Sequence, residues 1–347
     1  MTNKIWVFID QFEGNALQPS WEGIGAALTL AEELGGGVTA LVFGQDVENV
    51  AQEAFHYGAN EVLLADDATL ADYRSAPYTQ QLTQLVEASA PDVILFPTTT
   101  RGRELAGMAA VDLETGVLVD VTDLEVKDGV ITATRPIYAG KLLTKVQCSA
   151  TPQIITLRGR VFAKPEPDES RSGTLTKVEP AMSEDAIVTD VVDYATSEGG
   201  VSLTDAAVIV SGGRGVSNNP ALNPPADLDE EEQEIWKAQQ GFELVGELAQ
   251  VLGAAVGASR AAVDANYISY DHQVGQTGKI VSPDMYVACG ISGAIQHLAG
   301  MRASKVIVAI NKDPDAPIFK LARFGVVGNM HAILPPLTEA LRQRLEG

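Results

Sequence analysis

The sequence predicts an α/β chain of two doubly wound domains, and three observations carry that reading. Apolar runs rich in Val and Ile alternate with amphipathic stretches, the order that builds parallel sheets. The alternation starts twice, on either side of a polar connection broken by prolines. A chain of 347 residues also exceeds what one core ordinarily serves, since domains run to roughly 150 residues.

In the first half, strands are expected at 5–9, 37–43, 61–64 and 93–96, with helices at 23–34, 47–57 and 78–88. Beyond Gly116 the apolar period falls to two. Residues 124–126 and 131–134 then make a hairpin about Lys127-Asp128-Gly129-Val130, because Asp-Gly suits the positive φ angles of a tight antiparallel turn. Strands at 142–148 and 153–157 are expected to extend a mixed sheet. Residues 163–173 carry two prolines among polar side chains and read as an exposed connection. A last strand is expected over 185–192, and the domains are placed at 1–185 and 186–347.

The second half restarts the alternation, with strands at 206–210, 254–258, 285–289 and 305–310, helices at 241–252 and 294–301, and a C-terminal helix from Leu337. Asp227 with Glu230 three residues on has the spacing of a capping box, so an inserted acidic helix is expected before Gly241. Ile235-Trp236 gives it an apolar handle. It is either a solvated surface helix or a docking element.

Forty-six acidic residues against 24 basic leave a net charge of -22, which argues against nucleic acid or an anionic membrane surface as the main partner. No window approaches the roughly 18 uninterrupted apolar residues of a membrane span, so an integral membrane protein is excluded. Cys148 and Cys289 lack a CxxC or Cys/His companion, which excludes a disulfide framework and makes a structural metal unexpected. Residues 5–9 read as a first strand rather than a secretory leader. The expected compartment is the cytoplasm.

Four segments could carry chemistry. Ser211-Gly212-Gly213-Arg214-Gly215 follows a strand, and its amides with Arg214 suit an anion, although such turns also serve packing alone. Ser259 and Arg260 stand where a strand meets a helical turn, at the sheet edge where ligands bind; Arg260 would face either an anion or a carboxylate such as Asp264. Gln273-Val274-Gly275-Gln276-Thr277-Gly278-Lys279 is a polar loop whose amides and hydroxyl suit a heteroaromatic edge. It is not a phosphate-binding P-loop, lacking the spacing. The turn Gly290-Ile291-Ser292-Gly293, running into Ala294-Ile295-Gln296-His297, offers free amides to a pyrophosphate. No Ser/His/Asp set, paired carboxylates or metal cluster stands out, and these groups bind and tune a cofactor rather than act on a substrate.

These motifs, together with Val-Ala-Ile-Asn-Lys-Asp at 308–313 and Thr-Arg-Pro-Ile-Tyr-Ala-Gly at 134–140, resemble the α subunit of electron transfer flavoproteins. The resemblance is dense over 208–328 and looser before it. It implies a nucleotide-hydrolase-like first sheet with added hairpin strands, contacting a β subunit, and a Rossmann-like FAD-binding second domain. It further implies a heterodimer whose β subunit carries AMP or, in bifurcating members, a second FAD. Arg214 and Arg260 would lie near the isoalloxazine. Ser259 and the loop of Gln273, Val274, Gly275, Gln276, Thr277 and Gly278 would contact the cofactor, Thr277 at N5. Ser292, Gly293, Ala294, Ile295, Gln296 and His297 would serve the pyrophosphate and ring edge, His297 near O2, with Asn311, Asn329 and Met330 on the adenosine side. Many relatives have Ala-Asp-Tyr-Gly and an acidic residue before Leu where this chain has Ala322-Arg323-Phe324-Gly325 and Asn329-Met330. The acidic stretch at 216–240 is longer than the common form.

The function so implied is an electron carrier without a substrate reaction of its own. It would pass single electrons from flavin dehydrogenases, such as the acyl-CoA dehydrogenases of fatty acid β-oxidation, to a membrane quinone reductase. One-electron reduction puts negative charge over N1 and O2 of a flavin, so a cation there raises its potential. At about 4 Å and an effective dielectric near 20, a unit charge is worth about 4 kcal/mol, on the order of 0.2 V. Three alternatives stay open: the FAD-carrying subunit of an electron-bifurcating, NADH-dependent complex; a nicotinamide enzyme on a similar sheet; and a regulatory protein with a relic cradle. Against the nicotinamide enzyme, no acidic residue follows Gly213 at the roughly 20-residue spacing and in the βαβ context that ribose recognition uses.

Overall fold

In the first strand, β1 (Asn3–Ile9), residues 5–9 are all buried, as a strand covered on both faces requires. The computed structural model describes residues 3–138, 140–194, 202–204 and 206–345. It divides into two compact units, one of Met1–Ile137 with Lys141–Ala195 and the other of Tyr138–Gly140 with Thr196–Gly347.

The first unit winds α1 (Gln18–Leu34), β2 (Gly36–Gly44), α2 (Glu48–His56), β3 (Glu61–Asp66), α3 (Ser75–Ser89), β4 (Val93–Pro97), α4 (Thr100–Asp112) and β5 (Val117–Val121) after β1. Ile5, Val7 and Ile9 point into one core with Trp21 and Ile24 of α1. Trp6 and Phe8 point into the other with Tyr78 and Leu82 of α3 and Leu105 of α4. Alternate residues of one strand thus fill two layers. Helix α1 starts earlier than its apolar pattern because Pro19 sits in its first turn, where a missing N–H costs nothing. Helix α4 was not expected. Thr99 caps it, its hydroxyl accepting from the Gly102 amide at 2.9 Å.

The hairpin forms as expected between β6 (Asp123–Lys127) and β7 (Val130–Ile137), with Asp128 at φ 53° and Gly129 at φ 77°. The mixed sheet does not form. Strand β8 (Leu142–Val146) pairs antiparallel with β7 in a separate three-stranded sheet, while β9 (Gln153–Leu157) lies parallel between β4 and β5. Four of the five β9 residues are buried, whereas Leu142 and Leu143 of β8 are exposed, so only β9 suits a sheet covered on both faces. With β10 (Thr174–Lys177) at one edge, the seven-stranded parallel sheet runs β10-β3-β2-β1-β4-β9-β5. No strand spans 185–192. Glu184–Ala186 is a single tight helical turn, and Val188 and Val192 are each 93% exposed, with no core to pack against.

The second unit is a six-stranded parallel sheet of β11 (Val208–Gly212), β12 (Ala255–Ser259), β13 (Gln273–Val274), β14 (Met285–Cys289), β15 (Val306–Asn311) and β16 (Phe324–Val327). Its spatial order, β13-β12-β11-β14-β15-β16, is that of dinucleotide-binding sheets. Edge strand β16 escaped the sequence reading because its four residues are exposed.

Helix α5 (Glu230–Val251) corrects two expectations. The acidic stretch is no separate insertion but the first turns of one continuous helix, and its capping box is Asp229 with Glu232 rather than Asp227 with Glu230. Gly241 reads as a break in sequence. It stands mid-helix because a Cβ there would come 2.2 Å from the Val216 carbonyl oxygen. After the short α6 (Arg260–Val263) and α7 (Ile295–Met301), α8 (Met330–Leu345) starts seven residues before Leu337 and carries Pro335 and Pro336 inside it. No helix among the described residues is long and apolar enough to cross a membrane.

Candidate functional site

In an open parallel sheet, the loops after two neighbouring strands part company where the winding reverses, leaving a crevice at their carboxyl ends. Here that point lies between β11 and β14. The two turns approach closely: the Gly213 amide donates to the Cys289 carbonyl at 2.9 Å, and a Cβ on Gly213 would stand 2.3 Å from the Gly290 carbonyl oxygen. Gly213 therefore tolerates no side chain unless the turns move apart.

A cavity of about 480 Å³ opens beside this contact. Gly215, Ser217, Asn218 and Asn219 line it from the β11 side, Gly290 from β14, Ile310, Asn311 and Lys312 from β15, Gly328, Asn329 and Met330 from beyond β16, and Lys237 from α5. Asn311 donates to the Ile291 carbonyl at 2.9 Å, and the Asn329 side chain accepts the His331 amide at 3.0 Å. Both carboxamides are thereby oriented. The three residues assigned to an adenosine side, Asn311, Asn329 and Met330, thus share one cavity. Lys237 and Lys312 were not singled out from sequence. Lys312 lies within Val-Ala-Ile-Asn-Lys-Asp at 308–313, whereas Lys237 follows an acidic run.

Ser259, Arg260 and the loop of 273–278 lie on the other side of β11. Ser259 ends β12 and caps α6, its hydroxyl accepting the Ala262 amide at 3.3 Å. Arg260 opens α6, and its Nε meets Asp264 at 3.1 Å, both side chains well exposed. Ser259 is paired with Val274 across the β12–β13 register. The loop after Val274 closes on itself, Gly278 donating to Gly275 and Lys279 to Gln273. It also docks on α7. The Gln276 amide donates to the Gln296 carbonyl at 2.8 Å, and a Cβ on Gly300 would meet the Gly275 nitrogen at 2.4 Å. Thr277 Oγ1 accepts from Gln273 Nε2 at 3.1 Å, which leaves the hydroxyl proton free for an acceptor outside the loop.

His297 is 5% exposed, its Nε2 3.1 Å from the Tyr286 hydroxyl. Burial pushes its pKa down to about 4, against a weaker upward pull from the Val274 backbone, so the ring is neutral at pH 7. Its Nδ1 has no hydrogen bond of normal length, the kind of orphaned buried atom that a bound group satisfies. Burial raises the Cys289 thiol to about 12, so it is an inert core residue. Ser292, Ala294, Ile295 and Gln296 are exposed and Gly293 is buried, turning at φ 85° against Ile318. Arg214 points to α5, with Nη2 2.8 Å from Glu234.

The donor set fits a dinucleotide such as FAD. Amides and two lysines around a cavity match ribose, phosphate and base, and a second cluster of hydroxyl, amide, imidazole and guanidinium groups matches a polar ring edge.

Comparison with known proteins points the same way. Residues 5–183 match the family model "Electron transfer flavoprotein domain", and residues 235–302 match "Electron transfer flavoprotein FAD-binding domain". The electron transfer flavoprotein subunit alpha of Bacillus subtilis (strain 168) is 42% identical over 99% of this chain and 98% of its own length. That of Megasphaera elsdenii is 41% identical over 98% and 96%, and protein FixB of Azotobacter vinelandii 41% identical over 98% and 91%. With two family models and near full-length likeness falling on an open dinucleotide sheet, the chain belongs to the electron transfer flavoprotein family as an α subunit that binds FAD.

Proposed function

We propose that the chain holds FAD along the carboxyl edge of its second sheet and, joined to a β subunit carrying AMP, moves single electrons from flavin dehydrogenases to a quinone reductase. Acyl-CoA dehydrogenases are the donor class in this reading, and the cytoplasm is the compartment, which suits two free cysteines. The observation that carries it is the cavity beside the β11–β14 turn contact, shared by Asn311, Asn329 and Met330.

Bound FAD supplies a centre that takes up and releases one electron at a time. Asn311 and Asn329 present oriented carboxamides to the adenosine, and Lys237 and Lys312 place positive charge on the cavity wall. The turn of Ser292, Gly293, Ala294 and Ile295 serves the pyrophosphate. Thr277 has its hydroxyl proton to give to N5 because Gln273 occupies its oxygen. His297, neutral by burial, acts toward O2 as a hydrogen-bonding group rather than a cation. The positive charge at the ring then falls to Arg214 and Arg260, both exposed and each paired with a carboxylate, Glu234 and Asp264.

The test is to purify the chain with its β partner, denature the complex and count what is released. The expected result is one FAD and one AMP per heterodimer. A colourless complex would defeat the reading, and two FAD with reduction by NADH would replace it by the bifurcating one.

A further inference from the structure

The acidic stretch that opens α5 does more than cap a helix. Glu234, in its second turn, reaches two residues from other parts of the second unit. One of its carboxylate oxygens takes Arg214 Nη2 at 2.8 Å and also accepts from the Tyr267 hydroxyl. Tyr267 is 4% exposed, its ring set in the core beneath α5, and Ser217 Oγ lies 3.2 Å from the same hydroxyl. Tyr267 is therefore a fixed anchor. It leaves Glu234 little freedom, and through Glu234 it limits Arg214.

The place matters as much as the bond. Arg214 immediately precedes Gly215, Ser217 lies one helical turn on, and both Gly215 and Ser217 line the cavity. Lys237, three residues after Glu234 and so on the same side of the helix, lines it too. The first turns of α5 thus put Lys237 on the cavity wall and the Glu234 carboxylate against Arg214, the neighbour of a lining residue. Tyr267 and Arg214 together stabilise the ionised carboxylate, which lies below its ordinary range, with the Tyr267 hydrogen bond the larger cause. Glu234 is charged when it faces Arg214.

We propose that Glu234 is a positioning residue for Arg214: pinned by Tyr267, it holds the guanidinium against α5 and offsets its charge, which lowers the potential of the flavin. This rests on the reading that FAD occupies the site with Arg214 near its ring. An arginine left unopposed would favour the electron-rich form of the cofactor, and a paired one favours it less. The acidic stretch then acts as a trim on the redox potential, built into the α subunit itself.

The test is a double-mutant cycle on the FAD-loaded heterodimer, read as flavin midpoint potential, with FAD affinity measured alongside. Glu234→Gln keeps the shape and removes the charge. It is expected to raise the potential by about a tenfold change in the ratio of oxidised to one-electron-reduced flavin, about 59 mV. The same change in an Arg214→Gln background is expected to shift it much less. Glu234→Asp, which keeps the charge but draws it back from Tyr267, gives an independent reading and should fall between wild type and the glutamine variant. An unchanged potential in a fully loaded Glu234→Gln or Glu234→Asp protein would overturn the proposal, since a merely structural carboxylate would move stability and not potential. If Arg214→Gln alone leaves the potential of bound FAD untouched, the placement of Arg214 fails instead. If no FAD binds to wild type, the reading of the site fails.

Discussion

The two sheets share a winding core, with the third, second, first and fourth strands side by side in each, yet they treat the reversal point oppositely. In the first unit that point lies between β1 and β4, and side chains close it. Asp10, 2% exposed at the end of β1, pairs with Arg101 Nε at 2.9 Å, and Ser20 of α1 bonds the Asp10 backbone. Gln11 reaches the Phe43 carbonyl at 3.2 Å. In the second unit, Gly213, Gly215 and Gly290 stand at the corresponding point and a cavity opens beside them. One topology thus gives a closed scaffold or an open cradle, according to whether the turn residues carry side chains that satisfy one another.

Substitutions at the two points sharpen that contrast. The largest effect belongs to Arg101→Met, which takes one ion-pair partner from the buried Asp10 carboxylate and should cost roughly 4 kcal/mol of first-unit stability. Denaturant unfolding checks the loss, and FAD affinity should stay unchanged. Gly213→Ala should do the reverse. Its Cβ forces the β11 and β14 turns apart, at a cost of roughly 3 kcal/mol, and FAD retention on gel filtration should fall at least tenfold while the first unit keeps its stability.

A smaller effect follows from His297. Its folded pKa, about 4, lies below the 6.5 of an exposed imidazole, so between these values the unfolded chain binds the extra proton. Stability contributed by the neutral ring is therefore present above pH 6.5 and declines as pH falls toward 4. By pH 5 the loss should be roughly 2 kcal/mol. His297→Gln, neutral at every pH, should flatten that part of a melting-temperature profile, and an unaltered slope would show that the ring is not held neutral by burial.

The core of this fold was legible because it is written locally. Strands such as β1, β2, β4 and β14 are buried on both faces and therefore read as nearly continuous apolar runs. What escaped depends on partners distant in sequence. Strand β16 is an exposed edge, and α8 hides behind Pro335-Pro336. The continuity of α5 hides behind Gly241, whose reason is the Val216 carbonyl. The expected strand over 185–192 had the right residues and no sheet to join. In the site, glycine turns and polar loops announced themselves, and Asn311, Asn329 and Met330 meet in one cavity. Lys237 and Glu234 were invisible among acidic neighbours, because what distinguishes them is which way they face on α5.

The most direct measurement is the structure of the copurified heterodimer with its natural cofactor content. The account predicts FAD density at the carboxyl edge of the second sheet, with the adenosine between Asn311 and Asn329 and the ring within reach of Thr277 and His297. A nicotinamide there, or a flavin bound at the Asp10 edge of the first sheet, would contradict it.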